Sequence, residues 1–250
     1  MTNTVAEVWR FPVKSMQGER IDRIDVGPNG AVGDRVYAVV DPAERKVLSA
    51  KRFADLLLAS ARAEGDDVVI ALPTGAEFAA SDPGVHAALS QWLGKDVRLE
   101  RPPTDAVFPM EMYTGMSDES TPLFDWGGPP GTWLDLADAH FLTTASLRAA
   151  AALHPEGDWD VRRFRPVALI DSDDEGFVEE TWSTFAIGSV EAKVMMPTMR
   201  CSMPSRAQPG IERDMKIGTT IRDGNKNNLG IYCSITQAGT IAVGDAVTPR

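Results

Sequence analysis

The sequence predicts a mainly β protein with a few helices. Short apolar runs recur through both halves of the chain, and Gly/Pro/Asn/Asp clusters punctuate them as turns. Helix-forming composition is confined to a stretch after Ser81-Asp82-Pro83 and another after Thr143-Thr144.

In the first hundred residues, 21–25 alternates apolar and polar side chains, 36–40 is more continuously apolar, and 68–72 is a further short strand. Gly27-Pro28-Asn29-Gly30, Asp41-Pro42 and Pro73-Thr74-Gly75 are the turns between them. A helix is expected over 83–93, with polar cap residues before a first-turn proline and Gly94 after its end. Residues 101–135 are rich in proline and glycine, including Gly127-Gly128-Pro129-Pro130-Gly131, and are poor material for regular structure. They divide the chain into an N-terminal unit (1–100), a connecting segment or lid (101–135) and a C-terminal unit (136–250). The C-terminal unit opens with a helix capped by Thr143 or Thr144 and stopped by His154-Pro155. Strands follow at 166–170, 185–188, 190–195, 230–235 and 240–243, the last two joined by a turn at Gln237-Ala238-Gly239.

Hydrophobic residues make up 43% of the 250 and charged residues 24%, the balance of a globular chain. The formal net charge of −11 argues against nucleic acid and against an anionic membrane surface as partners. No apolar run is long enough for a transmembrane helix, and the first residues do not read as a signal peptide, so a cytoplasmic location is expected. Cys201 and Cys233 are too few for a disulfide framework or a four-cysteine iron–sulfur cluster. Redox chemistry would therefore need another centre and electrons from outside. No P-loop, dinucleotide fingerprint or Gly-x-Ser-x-Gly elbow is present.

The candidate residues are few. His86, His140 and His154 lack the spacing of a zinc site and read first as structural, with His140 standing just before the segment 141–153. Arg162, Arg163 and Arg165 crowd the entry to the apolar run 167–170, where a guanidinium needs a partner: an anion, or an internal carboxylate at Asp158, Asp160 or Asp171. The strand pattern breaks at Pro197, which puts Cys201 on a loop or strand end. The neighbouring Arg200 would favour a thiolate, a soft ligand for sulfur-bound metals; the alternative is an inert buried thiol. Cys233, inside a strand, reads as core.

Five segments in order resemble the MOSC domain, named for the C-terminal domain of molybdenum-cofactor sulfurases. They are the stretches 140–147, 160–166, 176–182 and 197–201, and Gly230-Ile231-Tyr232 followed by 239–245. Phe11-Pro12-Val13-Lys14-Ser15 and Gly33-Asp34-Arg35 are similar to the β-rich domain that precedes it. The resemblance implies a β-barrel-like MOSC core beside a smaller N-terminal β domain, with a molybdenum cofactor, a molybdopterin, between them. By the same resemblance Cys201 ligates the metal and is the catalytic residue. Lys14, Ser15, Arg35 and Arg165 hold the cofactor, with Thr144, Arg163 and Arg200 as further candidates. The implied activity is that of the amidoxime reducing components and the bacterial hydroxylaminopurine-detoxifying proteins: reduction of small N-hydroxylated or N-oxide compounds with an external electron-transfer protein.

Some positions depart from the family pattern. Val167 stands where Asn is common after Arg-Pro, Met16 where Cys is frequent, and Ala207-Gln208-Pro209-Gly210 follows the cysteine in place of the reductases' usual stretch. These affect the substrate assignment more than cofactor binding. Two other functions fit the same residues less well. One is a cofactor or sulfur carrier with a persulfide on Cys201. The other is pyridoxal phosphate on Lys14, which the full sulfurases use only in a domain absent here.

Overall fold

A computed structural model describes residues 3–104, 107–113 and 123–250. Its larger unit is a closed β-barrel. Around the ring the strands are Ala168–Asp171, Ala139–Thr143, Asn228–Gln237, Val190–Met199, Thr184–Ile187, Ala246–Pro249 and Asn3–Arg10, which pairs back onto Ala168–Asp171. Closure leaves no open edge within the ring. The pleat fills its interior: Ile231, Cys233 and Ile235 alternate along one strand and all are buried in the barrel core. Inside, Phe141 meets Phe185 edge-on at 5.2 Å between ring centroids. The fold is thus mainly β, as expected, with helices α1 (Gly84–Leu93), α2 (Thr144–Leu153) and α3 (Met215–Asn225).

Ala139–Thr143 and Ala168–Asp171 run parallel, so a crossover must join them, and α2 begins that crossover. Thr143 is its cap: the hydroxyl accepts from the Ser146 amide at 3.1 Å. Helix α3 was not legible. Gly218, Thr219, Thr220 and Gly224 are weak helix formers, and only Ile217 and Ile221 bury a face. Asp214 caps it through the Lys216 amide.

The first strand was also missed, because its apolar positions are interspersed with Asn3, Thr4, Glu7 and Arg10. It belongs to the barrel, although it lies in the part read as the N-terminal unit. That unit has its own core, in which Val13, Val39, Leu56, Ile70, Val85 and Leu89 are buried. Two expectations need correction. The proline-rich segment contains strands Pro109–Tyr113 and Leu123–Gly127, a hairpin that joins the sheet of Ala38–Asp41 through Lys46–Val47. Residues 105–106 and 114–122 of the expected lid lie outside the described residues. Strand Val190–Met199 does not break at Pro197 but passes through it with irregular register; Cys201 lies just beyond its end.

Candidate functional site

A cleft opens between the barrel and the N-terminal core. Lys14, Ser15, Arg35, Ser49 and Lys51 reach it from the N-terminal side; Asp135, His140, Arg163, Phe164, Arg165, Arg200, Cys201 and Tyr232 reach it from the other. Of the residues expected from sequence, all but Thr144 line it. Thr144 lies in the first turn of α2, where its hydroxyl donates to Asp171 and accepts from the Ser172 amide. Its role here is to tie the helix to the neighbouring strand.

The backbone around the cavity is unusual. Ser15, Arg35 and Arg165 take φ of 70°, 49° and 57°. They make up half of the six non-glycine residues in left-handed conformations among the described residues. Such conformations persist only where surrounding contacts enforce them, and they concentrate at functional sites. The Arg35 amide donates to Phe11 O at 2.8 Å, and Ser15 Oγ accepts from the Ala50 amide at 3.1 Å.

Phe11 is the hub of the cationic wall. The Arg165 guanidinium lies 4.1 Å from its ring centroid and that of Arg35 5.6 Å. Arg35 pairs with Asp34, whose other oxygen accepts from the Phe11 amide at 2.7 Å. Arg165 Nη1 donates to Met16 O at 2.6 Å. Its Nη2 finds no hydrogen-bond partner among the described residues. None of the expected internal carboxylates reaches it; Asp160 pairs instead with Arg162. Burial, reinforced by the charge of Arg35, pushes the Arg165 pKa down to about 9.

The lysines converge on Asp135. Lys14 Nζ donates to Asp135 at 2.8 Å and to Trp133 O at 2.7 Å. Lys51 Nζ lies 3.9 Å from the same carboxylate and donates to Glu111 O at 2.7 Å. Burial lowers the Lys14 pKa to about 8 against the opposing pull of Asp135. For Asp135 itself, burial would raise the pKa, but Lys14, Lys51 and Arg35 outweigh it and hold the carboxyl ionised. Six Lys or Arg side chains thus line the cavity against one carboxylate.

Arg163 and Arg200 bind backbone carbonyls near the thiol. Arg163 donates to the carbonyls of Asp158, Pro204, Arg206 and Glu212, which shapes the loop after Cys201. Arg200 donates to Phe164 O at 3.0 Å and approaches His140 Nε2 at 3.5 Å. His140 is kept neutral by burial and by the charges of Arg200 and Arg35. Gly230 gives it room: a Cβ there would lie 2.3 Å from His140 Nε2. Burial pushes the Tyr232 phenol up to about 12, so it stays protonated. Cys201 is half-buried in the cavity wall, whereas Cys233 is fully buried in the barrel core. His86 and His154 are structural: His86 accepts from the Leu99 amide and His154 pairs with Asp214.

Sequence reading did not select Lys51, Asp135 or Tyr232, and set His140 aside. Asp135 left one trace, a lone carboxylate in the apolar stretch Trp133-Leu134-Asp135-Leu136. Tyr232 left another, its place in the matching segment Gly230-Ile231-Tyr232; Lys51 left none, because only the fold brings it to the cavity.

The fold and cavity define a class: a two-part β protein with a cationic, thiol-bearing cavity between its parts. The chain belongs to the MOSC family. Residues 135–248 match the MOSC domain and residues 2–93 the MOSC N-terminal beta barrel domain. It is 25% identical to mitochondrial amidoxime reducing component 2 of Bos taurus, over 98% of this chain and 82% of that protein. It is 24% identical to mitochondrial amidoxime-reducing component 1 of Homo sapiens, with the same coverage. Among solved structures, the YUAD protein from Bacillus subtilis shares the fold, with a TM-score of 0.50 at 9% identity, covering 99% of this chain and 94% of that one.

Proposed function

We propose that this protein is a molybdenum-cofactor oxidoreductase that reduces small N-hydroxylated or N-oxide compounds, with electrons from an external electron-transfer protein. The observation that carries the reading is the juxtaposition of the Cys201 thiol with a cationic cavity containing an unpartnered guanidinium nitrogen on Arg165. The residues fit the cofactor. A molybdopterin is strongly anionic, and the orphaned Nη2 calls for an acceptor. Among the described residues, no group of three or more His, Cys, Asp or Glu side chains could hold a metal ion. A metal at Cys201 would therefore arrive with donors of its own, as one bound to a pterin dithiolene does.

Reduction of an N-hydroxylated compound breaks the N–O bond, takes up two electrons and two protons, and releases water. When bound, the molybdenum centre supplies the redox chemistry of that bond cleavage. The protein's part is to bind and orient. Cys201 gives a soft thiolate ligand; Lys14, Arg35, Lys51 and Arg165 hold the anionic groups; Ser15 fixes the turn that presents Lys14. Arg163 and Arg200 shape the backbone on either side of the thiol. Tyr232 holds a proton at Oη, and neutral His140 can accept one at Nε2 only against the charge of Arg200.

The test is metal analysis of protein made in a host that synthesises the cofactor, followed by benzamidoxime reduction with an artificial donor. Wild type should carry molybdenum in near-stoichiometric amount and turn over; Cys201→Ala should do neither. Metal-free wild-type protein, or full activity in the variant, would overturn the reading.

A further inference from the structure

Strand Val190–Met199 delivers the chain to Cys201, but it ends two residues short. The thiol therefore depends on something other than the sheet for its position. The opposing turn supplies it. Lys226 and Asn227 both adopt left-handed backbone, at φ 52° and 67°, between the end of α3 and strand Asn228–Gln237. Paired left-handed residues other than glycine are uncommon, although Asn tolerates the region better than most. At that turn two hydrogen bonds run reciprocally. The Arg200 amide donates to Asn227 O at 2.8 Å, and the Asn227 side-chain amide, Nδ2, donates to Arg200 O at 2.8 Å. Arg200 O belongs to the peptide that carries the Cys201 nitrogen. A side-chain amide thus grips the peptide plane from which the thiol projects.

The clamp is anchored behind. Asn225 Nδ2 donates to Glu180 at 2.6 Å and to Asn228 O at 3.0 Å, which ties the turn to the segment Val178–Thr181 beside the barrel. Asn227 is 7% exposed, so water does not readily replace its bond to Arg200 O. In sequence the residue stands 26 positions from Cys201, inside the run Asn225-Lys226-Asn227-Asn228, and reads as a turn and nothing more.

We infer that Asn227 is a positioning residue, whose amide fixes the Arg200–Cys201 peptide and so sets the direction and accessibility of the thiol. This rests on the reading that Cys201 is the functional thiol, but it is a separate claim about how the thiol is held. Two substitutions isolate it. Asn227→Gly removes the amide without straining a left-handed position. Asn227→Asp keeps the shape and replaces the donor with an acceptor facing Arg200 O.

The experiment is alkylation of Cys201 by iodoacetamide in folded, cofactor-free protein, followed by mass spectrometry, with Cys233 as the buried internal reference. Thermal midpoints and molybdenum content of protein from a cofactor-producing host are measured alongside. Both variants should change the Cys201 rate by about fivefold or more, the scale of one lost hydrogen bond, while Cys233 stays unlabelled. A rate change smaller than that in both variants, even with a lowered thermal midpoint, would reduce Asn227 to a structural residue and overturn the inference. The two claims fail separately. Wild-type protein without molybdenum would sink the proposed activity and leave the alkylation result standing. Molybdenum in wild type, with unaltered Cys201 rates in the variants, would sink only the positioning role.

Discussion

Replacing Arg165 with Met should leave the cofactor-free protein as stable as wild type, or stabilise it, while abolishing cofactor retention. The magnitude follows from the site. Lowering the guanidinium pKa from 12.5 to about 9 corresponds to on the order of 5 kcal/mol of disfavoured charge. Below that pKa the group is protonated in both folded and unfolded protein, so the penalty is present in full at neutral pH. Against it stand the bond to Met16 O, worth about 2 kcal/mol as a charged hydrogen bond, and the contact with Phe11, worth about 1 kcal/mol. The balance favours Met by roughly 0–2 kcal/mol, in line with buried ions replaced by apolar side chains of similar volume elsewhere. Urea denaturation of cofactor-free protein measures it, and metal content measures the other half. A loss of more than about 2 kcal/mol on Arg165→Met would mean that internal partners already satisfy this charge. The case for an anionic ligand would then lose its main support.

Other expectations follow from the same contacts. The Lys14 pKa is lowered to about 8 from 10.5 on folding, so the unfolded chain binds the extra proton between those values. Stability of the cofactor-free protein should therefore rise with pH across that window, by on the order of 3 kcal/mol, and Lys14→Met should flatten the rise in denaturation curves taken from pH 7.5 to 10.5. Gly230→Ala places a methyl 2.3 Å from His140 Nε2 at a φ of 83°, and should cost about 2–4 kcal/mol by thermal unfolding; a neutral result would show that His140 is free to move. Gln208→Ala breaks the 2.6 Å bond from Gln17 that joins the post-cysteine loop to the N-terminal unit. It should cost about 1–2 kcal/mol by urea denaturation, and an unchanged midpoint would remove this departure from the family pattern from the structural argument.

Much of the site was legible because its chemistry is concentrated in short stretches. Lys14-Ser15, Asp34-Arg35, Arg163 to Arg165 and Arg200-Cys201 are each local, and a resemblance in sequence order was enough to collect them. Thr144 shows the weakness of that route: it lies in a matching segment but serves the helix and its neighbouring strand. Arg163 and Arg165 are two residues apart, yet one is satisfied by four carbonyls and the other keeps an open nitrogen. Spacing cannot express that difference, because it depends on where the loop after Cys201 folds.

By itself the sequence determined the mainly β character, the helices α1 and α2, and the residue types that a polyanion and a soft metal would need. Periodicity, turn chemistry and capping are local, and they act within a few residues. The tertiary structure alone decided the closure of the barrel by Asn3–Arg10, the convergence of Lys51, Asp135 and Tyr232 on the cavity, and the grip of Asn227 on the Arg200–Cys201 peptide. Those depend on pairing between distant segments and on burial, which changes what each charge and hydrogen bond is worth without leaving a trace in the neighbouring residues.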